Sequence, residues 1–296
     1  MSGKPVCYVN GQLVPESANA VSPLDRGLLL GDGLFETMRV VRERVLQWDR
    51  HWERLRGGAQ ALGLALPWTS DELREAVDRT LYANNLCEAT ARLTVTRGTS
   101  AARGLLPPGD TQPTLLIRVT PFAPYPAHLY RNGMQVIVSR RVHRNEQSPL
   151  SRIKSLCYLD NVVARQEAME SDADEALLLN TQGSVVCATT ANVFCVQAGR
   201  LHTPPVAEGA LPGTIRALVC GELAQKLQCG VKISRLDEAA LFSADEVFLT
   251  NALMGIMPVC AIDGRPLGAG VPGPVTGRFR AAYEEWLTAQ SGAKTR

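Results

Sequence analysis

A proline-rich stretch, TPFAPYPAHLYRNG, occupies residues 120–133 and lies between two halves of the chain that both carry hydrophobic patterning. Its three prolines fall within 121–126. Because proline has no amide hydrogen and restricts the residue before it, such a stretch favours a connection over a helix or a central strand. We interpret 121–127 as a linker between a smaller N-terminal α/β domain, residues 1–120, and a larger C-terminal domain, residues 128–296.

The patterning within both halves predicts a mixture of helices and strands. In the first half, apolar residues spaced three and four apart predict helices over 51–63 and 70–86, and the runs at 89–98 and 113–122 predict strands. The second half is predicted to contain a strand at 134–142, a helix at 156–170, short strands to about 203, a helix at 214–228, two strands within 244–264 and a last helix at 274–288. We therefore predict an α+β fold whose C-terminal domain holds a mixed sheet.

Charge and composition exclude several classes of protein. The formal net charge is only +2, which gives no reason to expect nucleic acid or an acidic membrane surface as a partner. No apolar run approaches the length of about 20 residues that spans a bilayer, and the N-terminal sequence MSGKPVCYVNGQLVPE lacks the apolar core of a signal peptide. The eight cysteines form no CxxC pair, so we expect no metal site and a reducing, cytoplasmic location.

Lys154 is isolated among the few lysines of the chain. The lysines are Lys4, Lys154, Lys226, Lys232 and Lys294. Most lysines are solvated surface charges. Lys154, however, comes just before a segment rich in Leu, Val and Ala, and a partly desolvated lysine amine has a lowered pKa and can form a Schiff base with an aldehyde. A surface charge and covalent chemistry are thus both open interpretations.

Two other stretches could bind an anion such as a phosphate. In LPGTIRALVCGELAQKL, Gly213 and Thr214 open a helix, and the first turn of a helix offers free N–H groups to an anion. The alternative is an ordinary capped helix. In FLTNALMG, residues 248–255, a strand ends in a polar turn that could add further N–H donors.

Five segments together carry a resemblance to a known family. They are DRGLLLGDGLFETMRV at 25–40, HWERL at 51–55, TRGTSAARG at 96–104, RIKSLCYLDNVVARQEA at 152–168 and DEVFLTNALMGIMPV at 245–259. On these segments the chain resembles the class IV aminotransferase family, which comprises the fold-type IV pyridoxal-phosphate enzymes. The resemblance covers nearly the whole chain. It implies a two-domain α+β fold, pyridoxal 5′-phosphate as cofactor, a small-molecule amino substrate and a homodimer.

The resemblance also implies roles for individual residues. Lys154 is the Schiff-base lysine and moves the proton at the substrate's Cα, and Arg54 binds the cofactor phosphate. Cys187 falls at the position that faces the cofactor's ring nitrogen. Further cofactor contacts are implied at Gly213, Thr214, Ile215, Asn251 and Ala252. Substrate contacts are implied at Phe35, Thr37, Arg39 and Arg103.

The chain departs from the family at Cys187, five residues before Asn192, where the family carries a glutamate. A carboxylate beside the ring nitrogen keeps the ring protonated and makes it a strong electron sink, whereas a thiol is a weak donor and supplies no charge. Either Thr189 or Thr190 covers the nitrogen, or the enzyme works more slowly, or it has specialised or lost its original activity.

The resemblance leaves three functions open. The first is a lyase that releases pyruvate from aminodeoxychorismate and leaves 4-aminobenzoate, a folate precursor. It is favoured because Leu105 stands where the D-amino-acid aminotransferase pattern has a histidine. The second is an aminotransferase that acts on a D-amino acid, a branched-chain amino acid or an amine. The third is a weakly active pseudo-enzyme, for which Cys187 is the only support.

Overall fold

The structure is a computed structural model, and it describes residues 4–101, 104–106, 109 and 111–292. Arg103, which the resemblance implies as a substrate contact, lies outside the described residues. Its role stays a prediction.

The chain divides into two compact units. Unit 1 consists of Met1–Ala123 together with Ile153–Cys157, and unit 2 consists of Pro124–Arg152 and Tyr158–Arg296. The domain boundaries derived from the sequence stay a prediction. They differ from the units in one respect, because they assign Lys154 to the C-terminal domain, whereas the structure groups it with unit 1.

Unit 1 is built on one antiparallel sheet and three helices. Its strands are β1 (Val6–Val9), β2 (Gln12–Pro15), β3 (Gly33–Val41), β4 (Arg44–Val45), β5 (Ala89–Thr96) and β6 (Thr114–Pro121). Its helices are α1 (Arg26–Leu30), α2 (Trp48–Leu62) and α3 (Ser70–Ala83). The strand order is β2-β1-β6-β5-β3-β4. The helices and strands predicted for the first half of the chain are confirmed, at slightly different bounds.

One face of this sheet packs against α2 and α3. Met38 and Val40 of β3 are buried in one apolar core with Leu55 of α2 and with Leu73 and Val77 of α3. Because successive side chains of a strand point to opposite faces, the odd-numbered residues of β3 face the other side of the sheet.

Unit 2 is built on a mixed sheet. Its strands are β7 (Met134–Arg144), β8 (Glu175–Asn180), β9 (Val185–Ala188), β10 (Asn192–Gln197), β11 (Arg200–Thr203), β12 (Val231–Ile233), β13 (Glu246–Asn251), β14 (Gly255–Ile262) and β15 (Arg265–Pro266). The strand order is β12-β11-β10-β13-β14-β7-β8-β9, and β15 pairs with β14. The pairs β7–β8, β7–β14 and β11–β12 are parallel. The predicted α+β class, with a mixed sheet in the second half of the chain, is confirmed.

The helices of unit 2 include one that is interrupted by a wider turn. They are α4 (Ala127–Asn132), α5 (Leu159–Glu170), α6 (Thr214–Leu218), α7 (Ala224–Lys226), α8 (Glu238–Phe242) and α9 (Pro274–Gly292). A π-helical segment, Val219–Leu223, joins α6 to α7, so that the helix predicted at 214–228 is continuous. Across the residues that the structure describes, no helix has both the length and the apolar character needed to cross a membrane.

Both faces of the unit 2 sheet are covered by apolar side chains. Val193 of β10 and Leu249 of β13 enter one core. Their neighbours Phe194 and Phe248 enter another, where the two rings stack with centroids 4.9 Å apart and Phe279 of α9 joins them. Polar residues that could bind a ligand are therefore to be sought at the ends of these strands rather than on their faces.

Candidate active site

The segment that carries Lys154 pairs with the start of β3 through an isolated antiparallel β-bridge between Leu34 and Ser155. The Phe35 N–H donates to the Lys154 carbonyl at 2.9 Å, and the Leu156 N–H donates to the Gly33 carbonyl at 3.0 Å. A side chain at Gly33 would not fit, because its Cβ would lie 2.5 Å from the Val95 carbonyl oxygen and 2.8 Å from Leu156 Cδ1. These contacts fix the backbone of Lys154 against β3.

This pairing corrects the predicted start of the helix at 156–170. The structure begins α5 only at Leu159. Leu156 lies before it, in the segment that is bonded to β3. The rest of the predicted helix is confirmed.

The Lys154 amine lies in a largely buried, positively charged environment. Its Nζ is 4.3 Å from the centroid of the Phe35 ring. Burial lowers the pKa of Lys154, Arg54 and Arg92 lower it further, and Glu36 opposes them, so that the pKa falls to about 8. An appreciable fraction of the amine is therefore uncharged near neutral pH, as a nucleophilic lysine requires.

Glu36, His51 and Arg54 form a buried polar cluster between β3 and α2. Arg54 donates to Glu36 through Nε at 2.8 Å and through Nη2 at 2.6 Å, and His51 Nδ1 lies 2.7 Å from Glu36 Oε2. Burial would raise the pKa of Glu36, but Arg54 and His51 outweigh it and lower the pKa to about 2. Burial also lowers the pKa of His51. Glu36 is thus an ionised acceptor, and a neutral His51 donates to it from Nδ1.

The predicted substrate residues Phe35, Thr37 and Arg39 alternate along β3 on the side opposite to α2 and α3. Arg92 of β5 lies opposite Thr37 in the register, and its guanidinium carbon is 3.8 Å from the centroid of the Phe35 ring. The Lys154 amine lies over the same ring. Phe35 therefore brings an amine and a guanidinium close together.

Arg39 makes a different set of contacts. Its Nη2 donates to Glu88 Oε2 at 2.5 Å, and its guanidinium carbon lies 3.2 Å from the centroid of the Phe122 ring. The guanidinium is thus engaged by a carboxylate and a ring. Its contact with substrate stays a prediction.

Sequence reasoning missed Glu36, His51 and Arg92. The sequence could have pointed to Glu36, because it lies two residues before Met38 in the predicted strand and therefore on the same buried face. A buried carboxylate needs a cation as a partner. His51 and Arg54 are three residues apart on a helix, a spacing that places both on one face. Nothing in the sequence pointed to Arg92, because its contact with Phe35 depends on the register between β3 and β5, which the sequence does not reveal.

In unit 2, Cys187 lies in β9 opposite Leu178 and is buried. Burial raises the pKa of the Cys187 thiol to about 11, with Arg144 lowering it and Glu175 raising it. The thiol is therefore neutral at physiological pH. Among the described residues, the buried Nε of Arg144 has no hydrogen-bond partner. The Cys187 thiol is thus a neutral side chain that experiences the positive charge of Arg144.

Glu175, whose charge acts on Cys187, is held by several partners. Thr189 Oγ1 donates to Glu175 Oε1, Thr190 Oγ1 donates to Oε2 at 3.4 Å, and Arg165 Nη1 lies 3.0 Å from Oε2. The hydroxyls of Thr189 and Thr190, which the sequence suggested as alternatives for covering a ring nitrogen, are therefore directed at Glu175.

The predicted anion-binding stretch of unit 2 has the geometry of a helix N-terminus. Gly213 is the N-cap residue of α6 and contributes no capping side chain. A Cβ at Gly213 would lie 1.9 Å from Asn192 Oδ1, so glycine is required here. The first N–H groups of a helix have no acceptor within the helix and attract anions. Thr214 and Ile215, which are both buried, supply such groups.

Asn251 and Ala252 lie where β13 turns into β14. The Asn251 Oδ1 accepts from the N–H groups of Leu253 at 2.9 Å and Met254 at 2.8 Å, and its Nδ2 donates to the Thr190 carbonyl at 3.3 Å. The Asn251 side chain therefore shapes the turn. A contact from this turn to a ligand would come from its backbone.

Asn192 brings the Gly213 stretch and the Asn251 turn together. It pairs with Thr250 across β10 and β13, and its Nδ2 donates to the Leu211 carbonyl at 2.8 Å. The hydroxyl of Thr250 is buried and has no hydrogen-bond partner among the residues described. This end of the two strands thus gathers a helix N-terminus, a polar turn and a buried hydroxyl that can still accept or donate a hydrogen bond.

Two relatives in sequence match the chain over nearly all of its length. A protein of Methanocaldococcus jannaschii, whose name gives it as a candidate branched-chain-amino-acid aminotransferase, is 36% identical over 283 residues, which cover 95% of this chain and 96% of that protein. The aminodeoxychorismate lyase of Bacillus subtilis (strain 168) is 29% identical over 280 residues, which cover 94% of this chain and 93% of that enzyme.

A family model and a solved structure also match this chain. The family model for amino-transferase class IV matches residues 33–262. The T.th. branched-chain amino acid aminotransferase, solved with pyridoxamine 5′-phosphate, is similar with a TM-score of 0.90 at 27% sequence identity. The similarity covers 98% of this chain and 96% of that chain.

Proposed function

Because the chain belongs to the class IV amino-transferase family, we propose that it moves an amino group between an amino acid and a 2-oxo acid. Its cofactor is pyridoxal 5′-phosphate. The observation that carries the proposal is the environment of Lys154. Its Nζ lies 4.3 Å from the centroid of the Phe35 ring, the Arg92 guanidinium carbon lies 3.8 Å from the same centroid, and burial with the charge of Arg54 lowers the pKa of the lysine to about 8.

Each unit, taken by itself, carries groups of the kinds that bind this cofactor. In unit 1, Lys154 can present an uncharged amine to the aldehyde, and Arg54 is a candidate for holding the phosphate. In unit 2, the start of α6 at Gly213 offers amide groups, and Thr250 offers a buried hydroxyl that lacks a partner within the described part of the chain. When bound, the cofactor supplies an aldehyde that reacts with amines and a ring that accepts the electron pair released at the substrate's Cα.

Lys154 takes the proton from the substrate's Cα and later returns one. A lysine with a pKa near 8 can do both near neutral pH, because neither of its protonation states is rare there. Arg92 binds a carboxylate of the substrate, since guanidinium groups pair bidentately with carboxylates and this one lies over the same Phe35 ring as the Lys154 amine. The Phe35 ring shields the amine from water.

Amino transfer is tested with an amino donor and 2-oxoglutarate. The cofactor-loaded protein is incubated in turn with a branched-chain L-amino acid, a D-amino acid and a primary amine that carries hydrogen on its amino-bearing carbon. We expect glutamate to form with at least one of these donors and the matching carbonyl product to appear in equal amount. If no donor passes on its amino group while Lys154 carries the cofactor, the proposed activity is wrong.

A second candidate activity is that of an aminodeoxychorismate lyase. It is favoured by Leu105, by the segment 245–259, which matches the lyase form of the family's C-terminal motif, and by the relative from Bacillus subtilis (strain 168). A lyase needs no 2-oxo acid as acceptor. Incubation with aminodeoxychorismate alone therefore separates the two candidates, because only a lyase releases pyruvate and 4-aminobenzoate under these conditions.

The variant Cys187→Glu tests whether the neutral side chain at this position limits catalysis. If position 187 faces the ring nitrogen, as the family resemblance implies, a carboxylate there stabilises the protonated ring by about 1.5–3 kcal/mol. Since each 1.4 kcal/mol in the transition state is about tenfold in rate, we expect removal of the Cα proton to accelerate roughly tenfold or more. The positive charge of Arg144, which lowers the pKa of the Cys187 thiol, also favours a carboxylate at this position.

Cys187→Gln is the matched control, because it has the size of glutamate without the charge. The measurement is the rate at which the substrate's Cα proton exchanges for deuterium, followed by NMR. A folded, cofactor-loaded Cys187→Glu protein that exchanges no faster than Cys187→Gln would contradict the prediction. Cα-proton exchange that is barely detectable in the natural protein and clear only in Cys187→Glu would identify the natural chain as a weakly active pseudo-enzyme.

A further inference from the structure

The carboxylate of Glu36 is a buried charge at the centre of unit 1, with 2% of the residue exposed. One edge of the Arg54 guanidinium, Nε and Nη2, is bound to its two oxygens, and His51 Nδ1 approaches one of them at 2.7 Å. A bidentate pair of this kind fixes the plane of the guanidinium as well as its distance. The direction in which Arg54 points is therefore set by Glu36.

Glu36 is also adjacent to the lysine-bearing segment. Its neighbour in β3, Phe35, donates its N–H to the Lys154 carbonyl at 2.9 Å. The charged or titratable groups that act on the lysine amine come from each element around it: Glu36 from β3, Arg54 from α2 and Arg92 from β5. Of these three, Glu36 is the only anion.

His51 does not neutralise this anion. Burial, together with the charges of Arg54 and Lys154, lowers the pKa of His51, so the imidazole is neutral and donates a hydrogen bond without adding a charge. The Glu36 carboxylate thus pairs directly with Arg54 and, as a negative charge, also raises the pKa of Lys154. Without it, an amine and two guanidinium groups would repel one another in a poorly solvated site.

We propose that Glu36 is a positioning residue for this site, which directs the Arg54 guanidinium and supplies the negative charge that lets Lys154 hold a proton. The inference rests on the proposed roles of Lys154 and Arg54 in binding the cofactor. It assigns to Glu36 more than a structural ion pair, because a purely structural pair would stabilise the fold without changing the chemistry of the lysine.

Glu36→Gln separates these two possibilities. The protein is freed of cofactor and treated with trace acetic anhydride over a series of pH values, and acetylation of Lys154 is quantified by mass spectrometry. In the natural protein the reactivity of Lys154 should rise with a midpoint near pH 8. Glu36 favours the charged amine, so its removal should move the midpoint downward by about 1 pH unit or more.

Glu16→Gln is the matched control. It removes the same charge from unit 1, but from an exposed pair in which Arg118 Nε lies 3.0 Å from Glu16 Oε1. The midpoint of Lys154 should not move in this variant. A midpoint that is unchanged or raised in folded Glu36→Gln overturns the proposal.

Glu36→Asp tests whether Glu36 directs the Arg54 guanidinium, and it also serves if Glu36→Gln does not fold. The aspartate keeps the charge, so the midpoint of Lys154 should stay near its natural value. Its shorter side chain cannot hold Arg54 in the same direction, so the dissociation constant of pyridoxal phosphate should rise by about tenfold or more. Unchanged cofactor affinity in this variant overturns the positioning role.

The same measurements distinguish a failure of this inference from a failure of the proposed function. If Lys154 of the natural protein reacts with the midpoint of an ordinary exposed lysine, then its proposed role is wrong whatever the variants do. If the natural protein behaves as expected and only the Glu36 variants do not, then the role of Glu36 alone is wrong.

Discussion

Lys154→Ala is expected to fold while its turnover falls by about 10²- to 10⁴-fold or more. The amine is the group that moves the Cα proton and the group that holds the cofactor covalently, so both functions are lost together. Folding should be little affected, because Glu36 keeps its hydrogen bonds to Arg54 and His51. Turnover measures the loss of catalysis, visible absorption measures the loss of covalently held cofactor, and thermal unfolding of the same preparation measures whether the fold is kept.

Lys226→Ala is the matched control for this loss. Lys226 is exposed and pairs with Glu285 at 2.6 Å, so its removal should leave turnover unchanged. Borohydride reduction of the natural protein, followed by peptide mapping, should place a pyridoxyl group on the peptide that contains Lys154. Its appearance on Lys226 or Lys232 would refute the assignment.

Removal of Arg54 is expected to weaken cofactor binding by roughly 10- to 150-fold, because a charge-assisted hydrogen bond contributes about 1.5–3 kcal/mol. The single variant Arg54→Ala is a poor test, since it strands Glu36 as an unpaired buried carboxylate at a cost of about 3–5 kcal/mol in stability. The double variant Glu36→Gln/Arg54→Gln removes both charges and is expected to fold. The dissociation constant of pyridoxal phosphate, measured by titration of the cofactor-free protein, shows whether this double variant binds the cofactor more weakly.

The matched control is Glu16→Gln/Arg118→Gln, which removes an exposed ion pair from the same unit. Exposed pairs contribute only about 0–1 kcal/mol, so this double variant should retain both its stability and its affinity for the cofactor. Equal affinities in the two double variants would remove Arg54 from the phosphate site.

Local patterning predicted α2, α3, β5 and β6, because the spacing of apolar residues records which side of each element is buried. Local sequence and motif resemblance pointed to Lys154 and Gly213, whose contacts with the cofactor stay predictions. The pairing of Lys154 with Phe35 could not be predicted, since it joins residues far apart in sequence and the segment around the lysine shows no strand alternation. For this reason the sequence grouped the lysine with the C-terminal half of the chain and began the following helix too early.

The electrostatic effect of Arg144 on Cys187 could not be predicted from the sequence for a related reason. Between Val138 and His143 the register of β7 against β8 shifts, which marks an irregularity in the strand just before Arg144. Such bulges redirect side chains without a distinct signature in the sequence. The departure at Cys187 was visible from the motif alone, but the cation that acts on it was not.

The pairing of the lysine segment with β3 also controls when the lysine becomes reactive. Glu36, His51 and Arg54 come from one short stretch and can assemble early, whereas Lys154 must first close a long loop, which costs entropy and time. Until then its pKa is that of a free lysine, about 10.4, and the amine stays protonated. Docking against β3 lowers the pKa to about 8 and produces the nucleophile. Covalent capture of an aldehyde is thereby favoured in molecules that have finished folding.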